Sequence, residues 1–180
     1  NWSILSNCDN LKTIHIPSSV KKIGPEFMYD CNSLETVTGG EGIIEMDIWN
    51  GAYFDNCPNL QSPVILNTFF FRLPSTHEGA YEVPDYVTEI ARDGMWHVTG
   101  LTALTLPESV IAIYGNAFAG DESLKDIYYY AIEIPETHDE TFNDLDKQNC
   151  TLHVYEEMVE VFKYNEHWRD FNIVGDLGAM

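Results

Sequence analysis

The apolar residues of this chain recur with a period longer than that of a helix or a strand. In LTALTLPESVIAIYGNAFAGDESL, Leu101, Leu104 and Leu106 precede Pro107; Val110, Ile113, Ala117 and Phe118 follow, and Leu124 begins the series again. With Leu101 as position 1 of a 23-residue template, these residues occupy positions 4, 6, 7, 10, 13, 17 and 18. Leu11 opens a second copy with Ile14, Ile16, Pro17, Val20, Ile23, Phe27 and Met28, and Leu34 restarts the count. A third copy holds Tyr81, Val83, Pro84, Val87, Ile90 and Met95 and leads into Leu101. Agreement at one spacing across three copies is the mark of a repeat architecture.

The template predicts its own elements. Positions 4 and 6 alternate, so they place two side chains on one face of a short strand. Proline at position 7 has no N–H for a ladder and ends that strand. Positions 10 and 13 pack the return leg, and positions 17 and 18 close the turn. One unit cannot bury its apolar face alone, so units stack and each adds a parallel strand to a common sheet. Two units are irregular. Gly39-Gly40 stands in place of the strand-ending pair, with a few extra residues before Phe54. The unit opened by Leu60 is stretched to 41 residues, and PVILNTFFFRLPSTHEGAYEVP reads as a full unit plus an inserted hairpin-like excursion. Leu124, Ile127 and Tyr129 open a last unit that ends near Phe142. The chain opens inside a unit, with Leu5 at position 18 and Cys8 at 21, which predicts further repeats or a capping segment ahead of Asn1. From Cys150 the pattern changes. Glu156 and Glu157 suit a helix N-terminus, and Met158, Phe162 and Trp168 can cover the open end of the array. The expected organisation is a solenoid over 1–149 and a cap over 150–180.

The segments LTLPESVIAIYGNAFAGDESL, CDNLKTIHIPSSVKKIG and YEVPDYVTEI resemble the BspA-type leucine-rich repeat. The resemblance covers residues 4–149, most strongly 8–34 and 81–124, and the tail from Cys150 is similar to the segment that closes such arrays. It implies an α/β, β-rich leucine-rich-repeat right-handed solenoid, with a parallel sheet on the concave face and a C-terminal helical cap. It also implies surface exposure or secretion in bacteria, binding of protein or host matrix, and no catalytic residues. The sequence departs from the family pattern at Gly39-Gly40, at Asp121, where cysteine is usual, and after Leu60.

Composition narrows the partners. The net charge of −20, with only 9 Lys and Arg, opposes binding to phosphate backbones or anionic membranes. The chain has no run of 18 apolar residues, so no membrane-spanning helix is expected. The expected partner is a protein or glycan, a host-derived one included, outside the cell or on its surface, without nucleic acid or membrane insertion.

Motifs for chemistry are sparse. Cys8, Cys31 and Cys57 each precede a position-1 leucine by three residues, so they predict a column of small buried thiols. Disulfides would suit an exported chain, but the strand spacing need not fit their geometry. The chain holds no C-x-x-C, H-E-x-x-H or G-x-S-x-G. No metal or other cofactor is expected; the HDE run at 138–140 reads as a solvated turn. Outward positions 3 and 5 give Thr13 and His15, Thr36 and Thr38, Ala80 and Glu82, Ala103 and Thr105, and Asp126 and Tyr128. Among these, Glu82 and Asp126 leave open a carbohydrate-active enzyme on a β-helix, which needs two acids about 5–10 Å apart. FFF at 69–71 and YYY at 128–130 exceed what the core demands, and alternate members should face outward. Tyr128 and Tyr130 then flank a buried Tyr129. The candidate ligand face is therefore His15, Thr36, Thr38, Glu82, Thr105, Asp126, Tyr128 and Tyr130. It reads as a non-enzymatic extracellular recognition or adhesion module, with the enzyme or a structural spacer as alternatives.

Overall fold

A computed structural model describes residues 5–180. The predicted alternation makes the first row of strands. β1 (Thr13–Ile16) and β3 (Thr36–Gly39) pair in parallel, Ile14 opposite Val37. The same row resumes with β7 (Glu78–Glu82), β9 (Gly100–Leu106), β11 (Asp126–Tyr129), β13 (Thr151–Val154) and β14 (Asn172–Gly175), hydrogen-bonded in that order. Leu104 lies opposite Ile127, and Ile127 opposite Leu152. The return legs make a second row. β2 (Lys22–Ile23) pairs with β4 (Glu45–Met46), and β6 (Phe69–Arg72), β8 (Glu89–Ile90), β10 (Ala112–Ile113) and β12 (Glu136–Thr137) continue it. The result is a solenoid of about seven turns.

The third side carries stacked turns whose alternate residues adopt a left-handed backbone, as at Glu26, Met28 and Asp30 and again at Ala52, Phe54 and Asn56. Backbone rungs join these turns between coils: Phe54 N–H donates to the Phe27 carbonyl at 3.0 Å, and His97 N–H to that of Ala119 at 2.9 Å. Asn, Asp and His tolerate this conformation well, which accounts for Asp30, Asn56, His97 and Asn116 at these corners.

The template leucines line the interior. Leu34, Leu60, Leu101 and Leu124 are buried, and each donates its N–H to the carbonyl three residues earlier. Leu11 is half-buried against the same core. Cys31, Cys57 and Cys150 are buried free thiols. Cys31 and Cys57 point their Sγ at the Leu5 and Met28 carbonyls of the preceding coil, both at 3.1 Å. Burial pushes Cys57 and Cys150 up to about 12, so neither offers a reactive thiolate.

The stretched unit holds the expected hairpin and full unit, but the hairpin belongs to a coil of its own and is not an insertion into one coil. It is a short coil from Leu60 followed by a full coil from Glu78. Gln61 N–H donates to the Glu35 carbonyl at 3.1 Å, matching the bond from Glu35 to Lys12 in the coil before. β5 (Val64–Leu66) then turns back through Asn67 and pairs antiparallel with β6, which joins the second row beside β8. This hairpin replaces the proline-linked leg of the coils that carry Pro17, Pro84 and Pro107. β5 forms no ladder with β3 or β7, so the first row is interrupted there.

The same hairpin corrects the reading of the three phenylalanines. Phe69, Phe70 and Phe71 are all buried, because β6 has core on both faces. Phe70 packs with Tyr81, while Phe71 meets Tyr53 edge-on at 5.0 Å. Gly40 makes the turn beside this hairpin possible. Its φ is +83°, and a Cβ there would lie 2.8 Å from Leu66 Cδ2. Gly40→Ala should therefore lower stability by about 1–3 kcal/mol, through the left-handed backbone and the clash, read as a lower urea midpoint.

Arg72 and Asp121 are buried ionisable groups. The short coil lacks the regular third-side turn, and Arg72 occupies that space. Its Nη1 donates to the Asp93 carbonyl at 2.6 Å and its Nη2 lies 3.4 Å from Asp55 Oδ1, joining the coils on either side. Asp121 occupies the template position of the cysteine column. Its Oδ1 accepts the Val98 N–H at 2.7 Å. Burial pushes its carboxyl up to about 8, against the opposing pulls of that bond and of Arg72.

The segment expected to be a cap is part coil. β13 and β14 extend the first row, and between them a 3-10 turn at Glu156–Met158 leads into α1 (Val159–Tyr164). Met158, Phe162 and Trp168 are buried in the end of the core, as their spacing predicts. No helix among the described residues is long and apolar enough to cross a membrane.

Candidate ligand-binding face

Strand alternation turns positions 3 and 5 of the first row away from the core. It does not bring all eight candidate residues into one patch. His15, Thr36 and Thr38 lie on the pair β1–β3, where His15 Nδ1 and Thr38 Oγ1 are 3.2 Å apart. Glu82, Thr105, Asp126 and Tyr128 lie on the five-strand segment, beyond the interruption at β5. There Glu82 is opposite Thr105, and Thr105 opposite Tyr128. Tyr130 follows the end of β11; it is 38% exposed and meets Tyr155 edge-on at 6.1 Å. Tyr129 is fully buried, so the alternation across YYY is as expected.

The second patch has a centre that the candidate set omits. His153 of β13 lies opposite Tyr128, and their rings stack at 4.3 Å with planes 13° apart. Its Nε2 is 3.1 Å from Asp126 Oδ1 and its Nδ1 is 2.9 Å from Asp176 Oδ2. The imidazole is thus held at both nitrogens and fixes the plane of Tyr128. Asn172 Nδ2 donates to Thr151 Oγ1 at 3.2 Å and continues the polar row onto β14. The signal for His153 was present in the sequence: it falls two residues after Thr151 on a strand that continues the alternation.

The arrangement presents a rigid aromatic face, a histidine clamped by two acids, and isolated hydroxyls. It does not assemble a nucleophile with a base. Asp126, one half of the carboxylate pair, is directed to His153 on the coil opposite to Glu82. Among the described residues no three His, Cys, Asp or Glu side chains converge to hold a metal ion.

A family profile described as the BspA type leucine rich repeat region matches the chain in six copies, over residues 2–72 and 67–175. No curated protein matches the chain significantly. Among solved structures, a leucine rich cell surface protein of Faecalibacterium prausnitzii is 19% identical over 93% of this chain and 60% of its own, with a TM-score of 0.41. A leucine-rich repeat protein of Bacteroides ovatus is 18% identical over 91% of this chain and 48% of its own, with a TM-score of 0.42. The pneumococcal vaccine antigen PcpA is 13% identical over 92% and 68%, with a TM-score of 0.33. The chain therefore spans about half to two thirds of the length of these proteins.

Proposed function

Because the chain belongs to the BspA-type leucine-rich repeat family, we propose that it is a non-enzymatic recognition module at a bacterial cell surface. It seats a protein ligand on the outward, concave face of the first strand row, in the patch from Glu82 to Asp176. The stack of Tyr128 on His153, braced by Asp126 and Asp176, is the observation that carries this reading. A preorganised aromatic surface with a polar rim binds without having to order itself first, and tyrosine supplies both apolar area and a hydroxyl. The surrounding acids and the net charge of −20 favour a ligand that brings lysine and arginine.

Binding to immobilised matrix proteins (fibronectin, laminin and collagen) tests the proposal. One of them should bind with a Kd on the order of 1 μM or tighter, weaken with added salt, and lose about tenfold with Tyr128→Ala or Glu82→Lys. Tyr164→Ala, at an exposed position on α1, should leave binding unchanged. Binding indifferent to Tyr128, His153 and Glu82 would place the ligand elsewhere. Sugar release from a polysaccharide, abolished by Glu82→Gln, would make the chain an enzyme instead.

A further inference from the structure

On a different side of the solenoid, where the second row meets the stacked turns, lies a cleft of about 340 Å³ lined by Ile48, Trp49, Arg92, Gly115, His138 and Glu140. Trp49 belongs to the extra residues of the second coil, yet it reaches across three coils to meet His138 edge-on at 5.6 Å. Its exposure is 68%, although the core has no use for it there. The loop that presents it is held by hydrogen bonds. Asp47 Oδ1 accepts the N–H groups of Trp49 and Asn50 at 3.0 and 2.9 Å. Tyr53 Oη donates to the Asp47 carbonyl at 2.6 Å, and Ala52 N–H to Asp93 Oδ2 at 3.0 Å.

The opposite wall is polar. Arg92 forms an ion pair with Glu140, and Asp139 borders the same space. Gly115 lies under the guanidinium; a Cβ there would collide with Arg92 Nη1. The absence of a side chain at that position lets the arginine lie across the coil and keeps the cleft open.

We propose that this cleft is a binding site for a neutral oligosaccharide, separate from the Tyr128 face. An exposed indole on a loop pinned by hydrogen bonds offers a π-face whose negative quadrupole attracts the C–H bonds on the apolar side of a pyranose ring. Glu140 and Asp139 accept from sugar hydroxyls, while Arg92 donates to hydroxyl or ring oxygens in the same plane. The charge balance selects a neutral sugar, since Arg92 is already paired and Asp139 and Glu140 repel uronates and sulfates. The volume lies at the small end of ligand pockets, about 300–1,000 Å³, which suits a short segment of a chain.

Titration calorimetry against malto-, cello-, xylo-, manno- and chitohexaose, with hexagalacturonate as the charged comparison, tests the site. At least one neutral hexaose should bind with a Kd on the order of 0.1–1 mM. Trp49→Ala and Arg92→Ala should each weaken it at least tenfold, and Glu140→Gln severalfold, all with unchanged circular dichroism. Tyr128→Ala should leave this binding intact, so the result is independent of the protein-binding face. Silence across the neutral panel at 10 mM sugar overturns the proposal. Binding of hexagalacturonate alone, or neutral binding that survives Trp49→Ala, also overturns it.

Discussion

Arg72→Leu should destabilise the protein by about 3–5 kcal/mol, the usual consequence of removing one partner of a buried charge group. Arg72 is 4% exposed and touches coils on both sides of the short one through Asp55 and the Asp93 carbonyl. Leucine would leave Asp55 with no cation beside it. It would also leave the space of the missing turn without a bridge. A loss of this size is a large share of the about 5–15 kcal/mol that holds a domain folded. Arg72→Lys should recover only part of it, because an ammonium group cannot reach two coils with a planar fork. Urea unfolding at pH 7 measures the loss; a change below about 1 kcal/mol for Arg72→Leu would show that the guanidinium does not hold the short coil in place.

Asp121 should make the protein less stable as pH rises, the reverse of the usual carboxylate. Its folded-state value is about 8, against an ordinary 3.8, so the native state binds the proton more tightly than the unfolded chain. The stability that protonation provides is complete below about pH 4 and is lost progressively up to about pH 8. The full shift corresponds to at most about 6 kcal/mol, at about 1.4 kcal/mol per pH unit. Asp121→Asn keeps an oxygen for the Val98 N–H and cannot ionise. The variant should be about 2–4 kcal/mol more stable than the parent at pH 8, and the two should converge near pH 4. Subtracting one profile from the other removes the general repulsion of a chain with net charge −20. Urea midpoints at pH 4, 6 and 8 that run parallel for the two proteins would contradict this assignment.

Both effects originate where the repeat is broken, and these are also the places where the sequence is hardest to read. The regular coils were legible because six template positions state the strand, its end and its register at once. A hairpin was legible within the stretched unit, but its strands at Val64–Arg72 were not, since an unbroken apolar run carries no period and the turn at Asn67-Thr68 lacks the usual Asn-Gly. Its phenylalanines are buried on both faces because β6 lies within the core, a non-local fact. Arg72 and Asp121 lie 49 residues apart in the chain. The electrostatic influence of one on the other arises only when the coils between them stack. Of the ligand face, alternation placed each residue outward, and Tyr128 and Tyr130 follow it. It did not predict the break at β5, and His153 was missed because residues beyond Cys150 read as a helical cap and not as two more strands. Trp49 had no template position, so its exposure emerged only from the packing of its loop.

The register between coils underlies every statement about which residues face outward. Methyl-labelled protein, observed by nuclear Overhauser spectroscopy, reports it directly. The structure predicts cross-peaks linking Ile14 to Val37, Leu104 to Ile127, and Ile127 to Leu152, each pair being opposite on parallel strands. A spectrum in which these pairs show no contact, while Leu104 or Ile127 contacts residues from other template positions, would contradict the stacked solenoid and the face derived from it.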